Sequence, residues 1–221
     1  MTRKLVIFGA GDIAELADFY FRHDSDFEVV AFTVDREYAQ AETVFGRPLV
    51  PFDEVERRCP PETHSMFVAL SYAKVNAVRR DKVAAARAKG YTLASYVSRR
   101  ATTFPGLVHG ENCFILEDNT IQPFVTIGDD VTLWSGNHVG HHSRIGDHCF
   151  IASHVVISGG VTIEEQCFVG VNVTIRDHVR IGARCVLGAG ALIVADAEPD
   201  GVYAPSATER ARVPSHRLRR L

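Results

Sequence analysis

Five histidines fall within twenty residues, SGNHVGHHSRIGDHCFIASH, at positions 138, 141, 142, 148 and 154. Imidazole does two kinds of chemistry at cellular pH. Neutral rings ligate metal ions, and a ring with an ordinary pKa of about 6.5 takes up and returns protons as a general base. A zinc ion needs several rings converging on one point. A base needs one ring facing a substrate. Which of the two this cluster serves depends on where the chain points each ring, and the surrounding repeat sets that.

Stepping by six from Ile115 meets Ile, Leu or Val fourteen times in succession, ending at Ile193. A second column, four residues after each of these, runs from Asn119 to Ala191 and is mostly small or β-branched. Such an interior fits a narrow tube of short parallel strands. Cys149, Cys167 and Cys185 are 18 apart, and Cys113 stands 36 before Cys149. Three hexads therefore make one coil, with adjacent coils about 4.8 Å apart, the spacing of paired strands. The first and fifth positions of each hexad face inward, so the cysteines are inner-wall residues, not ligands.

The same register sorts the histidines. His142, His148 and His154 occupy the fourth position of successive hexads and lie on three different faces of the tube. His178 shares a face with His142 but is two coils away, about 10 Å. Such rings cannot meet on one zinc ion within a chain. His148, His154 and His178 are expected as exposed polar residues of the wall. His141 is the only histidine at a third position, and His138 sits at a sixth, near a corner.

The first half of the chain is built differently. Residues 4–8, KLVIF, read as a buried strand. GAGDIAELADFYFRH follows, with Gly9, Gly11 and Ala14 in a G-x-G-x-x-A turn and a helical apolar pattern after it. Residues 28–34 form a second strand ending at Asp35. This is a βαβ unit whose glycines allow a tight turn and whose helix N-terminus offers free N–H groups to an anion. Further strands at 66–70 and 91–97, with helices near 52–58 and 74–89, give four parallel strands. That is short of a full dinucleotide fold and suits a mononucleotide or sugar nucleotide; the alternative is a scaffold domain with no ligand. The expected layout is a small Rossmann-like domain over 1–97, a linker over 98–112, the β-helix over 113–205 and a tail over 206–221.

Composition narrows the class. The net charge is −3, and 46% of the 221 residues are hydrophobic, enough for a large core. Neither sign of charge dominates, so nucleic acid is not an expected partner. No apolar run approaches the roughly 20 residues of a membrane helix. The opening MTRKLVIFGAGD reads as a strand, not a secretory signal. Five cysteines with no C-x-x-C pattern are then expected reduced, in a cytoplasmic protein.

Together the motifs IFGAGDIAE, VDRE, VGHHSRIGD, VVISGGVTI, FVGVNVTI and VLGAGALI resemble one family over residues 3 to about 205. It is the sialic-acid O-acetyltransferase-like sugar acetyltransferases of bacterial glycan pathways, a branch of the hexapeptide-repeat acyltransferases. The resemblance implies a small α/β domain followed by a left-handed parallel β-helix. It implies homotrimers, with acetyl-CoA as co-substrate in the groove between adjacent β-helices and no metal. The implied reaction is acetylation of a nucleotide-linked amino sugar for surface glycans such as lipopolysaccharide; a sugar hydroxyl is the alternative acceptor.

The resemblance also assigns residues. His141 aligns with the catalytic histidine, and Gly159, Gly160, Gly170 and Gly188 are where a pantetheine arm could approach closely. The sugar nucleotide is placed near Gly9, Gly11 and Asp12, with Asp35 after the second strand. Many relatives keep a carboxylate beside the catalytic histidine. Here the neighbours are Gly140 and His142; His142 is a catalytic candidate beside His141, and Asn137, turned outward, or a carboxylate from the next subunit is a candidate substitute for the missing carboxylate. The closing YAPSATERARVPS departs from the family, with Arg210 and Arg212 as candidate contacts to CoA phosphates. Gamma-class carbonic anhydrases share the fold and use two histidines 36 apart with a third five residues on. His142 and His178 match the first spacing, but the third place is Ala183; a metal enzyme of that type is the further alternative function.

Overall fold

A computed structural model describes residues 3–207 and residue 217. Arg210, Arg212 and most of the tail lie outside the described residues. The chain opens with β1 (Arg3–Phe8), α1 (Asp12–Asp24) and β2 (Phe27–Val34). The apolar run of β1 is buried on both sides. Leu5 and Ile7 pack with Ala14, Ala17 and Phe21 of α1. Val6 and Phe8 face a second cluster containing Val83 and Ala86. A strand covered on both faces is what a continuous apolar run predicts.

The rest of this domain departs from the expected four strands. A hairpin of β3 (Thr43–Val44) and β4 (Arg47–Pro51) pairs antiparallel, and β4 then joins β2 in parallel. After α2 (Val55–Arg58), β5 (His64–Val68) takes the other side of β1, giving the order β3-β4-β2-β1-β5. The hairpin turn, Phe45–Gly46, has both residues at positive φ, 49° and 75°. No Asn or Asp marks it; Phe45 is held there by its ring, 5.4 Å from Phe32. The strand expected at 91–97 is not one strand. Leu93 only bridges Met66, and Tyr96–Val97 already belongs to the β-helix.

The β-helix has three faces. The first carries seven short parallel strands from Tyr96–Val97 to Val202–Tyr203, and the other two carry five each. Both inner columns are buried along their whole length. Winding starts earlier than expected. Tyr96 pairs with Phe114, Thr102 with Thr120 and Val108 with Thr126, each 18 residues on. The segment 98–112 is thus the first coil and not a linker.

Every fourth-position residue from Asp118 to Gly190 has a positive φ. These are the corners of the triangle, each turned by one residue in the left-handed region. Glycine, Asn, Asp and His tolerate that region best. Four of the chain's histidines, His142, His148, His154 and His178, stand at these corners. Most of the histidine cluster is therefore corner chemistry of the backbone. The polar residues inside the tube have a matching role. The corner carbonyls need donors, and Ser143 Oγ gives one to Ser158 O at 3.0 Å while Cys149 Sγ does the same for Glu164 O.

The N-terminal domain covers the first face of the tube. Its α3 (Ala77–Ala88) lies along one corner. There the buried Arg79 donates to Asp130 Oδ1 at 2.9 Å and to the carbonyls of His148 and Cys149. His148, expected to be exposed, is only 19% so and bonds Asp130 Oδ2 through Nδ1 at 2.9 Å. Asn112 ties the same carboxylate to Val68 in β5.

Candidate active site

His141 lies at the corner between the second and third faces, exposed, one residue before the left-handed His142. Three neighbours fix it. Its backbone N–H donates to Gln122 Oε1, one coil below, at 2.9 Å. Its Nδ1 stands 3.0 Å from His142 Nδ1, and the two rings are nearly perpendicular at 87°. Its ring lies over Gly159, one coil above, where an added Cβ would be 2.8 Å from Cε1. Any side chain at 159 would collide with the imidazole. His142 in turn is tilted against the ring of Phe124, centroids 4.7 Å apart. The imidazole is thus held from beneath, beside and above, with its Nε2 edge free of any partner among the described residues.

The other sequence candidates divide. Asn137 does not reach this site. Its side chain points into the tube, Nδ2 bonding Trp134 O at 2.5 Å and Oδ1 accepting from Val155 N–H at 2.7 Å. Position five faces inward, and an amide there is consumed by the corner carbonyls. The four glycines do not form one site within a chain. Gly159 and Gly160 share the corner of His141, but His178 covers Gly160, whose added Cβ would be 2.5 Å from its Nδ1. Gly170 and Gly188 stand at the corner between the first and second faces. The N–H groups of Gly160, Gly170 and Gly188 are spent on carbonyls of neighbouring coils. That of Gly159 has no acceptor among the described residues, so of the four it alone is free to donate.

Gly9, Gly11, Asp12 and Asp35 gather at the C-terminal ends of β1 and β2, where the strand order reverses around β1. Such switch points are where open α/β sheets bind ligands. The two glycines have different reasons. Gly9 has φ 130° and passes so close to Ala69 O that a Cβ would sit 2.7 Å from it. Gly11 has nothing within 4 Å and keeps the N-terminus of α1 open. Three cavities run on from one another here. One of about 320 Å³ holds Asp35, Tyr38, Val78 and Lys82, and shares Gly11 and Leu70 with the next. The second, about 470 Å³, lies at the start of α1 with Asp12 and Ser71. It shares Ile13 and Tyr72 with the third, about 340 Å³, which ends on Trp134, Phe150, Phe168 and Gly170 of the β-helix. Asp35 is not free: Lys82 Nζ donates to its Oδ1 at 2.7 Å.

Sequence reasoning missed the third cavity and Lys82. A signal for the cavity existed. Phe114, Phe150 and Phe168 share one outward column, at multiples of 18, and large aromatics facing out of a tube must be covered by something. For Lys82 there was none, because only the fold brings α3 to Asp35. Among the described residues, no group of three or more His, Cys, Asp or Glu is placed to hold a metal ion.

Residues 106–141, 125–159 and 160–195 match the family described as bacterial transferase hexapeptide (six repeats). No curated protein matches the chain in sequence. Among solved structures, the acetyltransferase domain of PglB from Neisseria gonorrhoeae FA1090 is 26% identical, with TM-score 0.79, over 90% of this chain and 94% of that one. PerB from Caulobacter crescentus, in complex with CoA and GDP-perosamine, is 25% identical, with TM-score 0.80, over 91% and 94%. WeeI from Acinetobacter baumannii AYE shares the fold at 20% identity and TM-score 0.71, over 91% and 96%. The chain is an acyltransferase with a small mixed sheet followed by a left-handed parallel β-helix. Its β-helix carries the hexapeptide repeats of bacterial transferases over residues 106–195, and the chain is similar along most of its length to the solved acetyltransferase domain of PglB.

Proposed function

We propose that the chain transfers an acetyl group from acetyl-CoA to the amino group of a nucleotide-linked sugar, in bacterial surface-glycan synthesis, with His141 as general base between two copies of a homotrimer. The observation that carries this reading is the row of three adjoining cavities, each sharing lining residues with the next. Their order matches the parts of a sugar nucleotide. Val34, Leu70 and Val78 give apolar walls for a base, with Asp35 and Lys82 at its edge. The N-terminus of α1, its first N–H groups open beside Gly11, suits a diphosphate. The aromatic end against Tyr72, Trp134 and Phe168 suits the sugar.

Similarity to PerB, whose structure contains CoA and GDP-perosamine, supports both co-substrate and acceptor. The sugar cavity ends at the corner of Gly170, whereas His141 stands at the next corner, across the second face. On this reading a neighbouring copy supplies the base, in keeping with a trimer. The second face exposes Val156 and Leu192, with Val171 and Val194 at its corners, as a surface packed against another copy would.

In the reaction, the neutral amine nitrogen attacks the thioester carbonyl carbon. A C–N bond forms, and His141 Nε2 takes the proton the nitrogen loses. The C–S bond then breaks, and CoA leaves as a thiolate that recovers the proton. Gly159 N–H offers a donor to the transient oxyanion. The test is His141→Ala, assayed by thiol release with nucleotide-linked amino sugars. A loss of at least about a hundredfold in kcat is expected, and near-normal turnover removes His141 as the base. An alkali-stable product identifies an amide; an alkali-labile one moves the acceptor to a hydroxyl.

A further inference from the structure

The Nδ1 atoms of His141 and His142 face each other at 3.0 Å. Two ring nitrogens share a hydrogen bond only when one carries the proton and the other offers its lone pair. A base acting through Nε2 must leave that atom unprotonated, so the proton of His141 rests on Nδ1. We infer that His142 is a positioning residue whose Nδ1 lone pair accepts the Nδ1–H of His141, holding the base in its active tautomer with a neutral imidazole where a carboxylate would ordinarily stand. This rests on the reading of His141 as the base.

The direction of the bond follows from Nε2 of His141 acting as the base, and the surroundings hold its partner in place. His142 is set by its left-handed backbone, φ 60°, and by the Phe124 ring. Its Nε2 then carries its own proton. The charged and titratable groups at this corner are His138 and Arg144 on the flanking strands, and Arg176, Asp177 and His178 two coils on. The coils directly below and above present Gln122, Pro123, Phe124, Ser158 and two glycines, none of them ionisable. Among the described residues, His142 is the only side chain hydrogen-bonded to the His141 ring. When His141 takes the substrate's proton, the new positive charge meets a lone pair and no formal negative charge. An anionic acceptor would stabilise that charge more.

The pair can be altered without disturbing the backbone. Gly and Asn both occupy left-handed corners elsewhere in the tube, as Gly160 and Asn172, and Asp does so as Asp118 and Asp130. H142G removes the acceptor, H142N keeps an oxygen acceptor, and H142D makes it anionic. In 15N NMR of the histidine-labelled full chain, His141 is expected with a protonated Nδ1 and a bare Nε2. The tautomers are expected to mix in H142G. In assays, H142G lowers kcat about tenfold or more with KM nearly unchanged, and H142N restores most of that loss. H142D moves the acid limb of kcat/KM up by about one pH unit. A wild-type spectrum with the proton on Nε2, or an acid limb identical in all three variants, overturns the inference. The NMR arm needs no substrate. If His141→Ala stays active while the tautomer is as stated, the base assignment fails and the pairing stands.

Discussion

The imidazole of His141 occupies the space a side chain on Gly159 would fill, with Cε1 and Nε2 at 2.8 and 2.9 Å from where that Cβ would be. The two residues are one coil apart in the stack. The glycine is required by the ring above which it sits, not by its own backbone, since its φ lies outside the left-handed region. A methyl group there must displace the ring.

Gly159→Ala is therefore expected to fold normally and to lose activity. With His141 as the proposed base, a displacement of its ring by a few tenths of an ångström, together with crowding of the adjacent N–H, lowers kcat by about tenfold to a hundredfold. Melting temperature within a degree or two of wild type, alongside the kinetic loss, would separate this from misfolding. Unchanged kcat would show that the ring has room to move aside.

Asn137→Ala should do the reverse. It leaves Val155 N–H buried without its 2.7 Å acceptor, which costs about 1–3 kcal/mol. The measurable effect is a lower midpoint in urea, with kcat largely retained. A large kinetic defect without a stability defect would return Asn137 to the site.

The domain junction depends on Arg79 and Asp130, each 1% exposed and joined at 2.9 Å. Replacing Arg79 by Met leaves the carboxylate buried with only Asn112 and His148. About 3–5 kcal/mol of destabilisation is expected. The double variant Arg79→Met, Asp130→Asn should recover part of that, because it removes the stranded charge. Equal stability of single and double variants would argue against a buried-charge origin.

Acid should loosen the same junction. Burial of Glu117 opposes its ionisation, but hydrogen bonds from Tyr20 and Ser135 outweigh this and hold its carboxyl below the usual range. Asp129 behaves alike, with burial outweighed by Glu111 N–H and Arg87 of α3. A carboxyl lowered in the folded state adds stability above its unfolded value, and that stability is lost as pH falls through the folded one. The junction should be insensitive to pH from neutrality down to about 5 and weaken progressively below about 4. Trp134, the only tryptophan, lies beside this interface and reports it by fluorescence. A transition centred near pH 6 would point to the histidines instead.

Legibility followed the physical range of each interaction. The tube was readable because its period is local: each coil repeats the same 18-residue pattern, so burial of Ile157 or Cys167 follows from counting. The position of His141 apart from the other histidines came from the same count. The hairpin at 43–51 was not readable, because its turn rests on Phe45 packing against a distant Phe32, and propensity carries no trace of that contact. The boundary at 98–112 failed for a related reason. Its first coil lacks the apolar first-position residues, Thr103 and His109 standing in their places, and is held by pairing with coils that follow it.

Amino-acid order alone thus determined the repeat, its coil length, the inward columns and the lone third-position histidine, all of which depend on neighbours a fixed number of residues apart. Only the tertiary structure decided that Asn137 is consumed inside the wall, that His142 partners His141, that Lys82 meets Asp35, and that three cavities join across two domains. Those relations depend on which surfaces pack together. That is a balance of burial, hydrogen-bond satisfaction and charge over the whole chain, which no local pattern encodes.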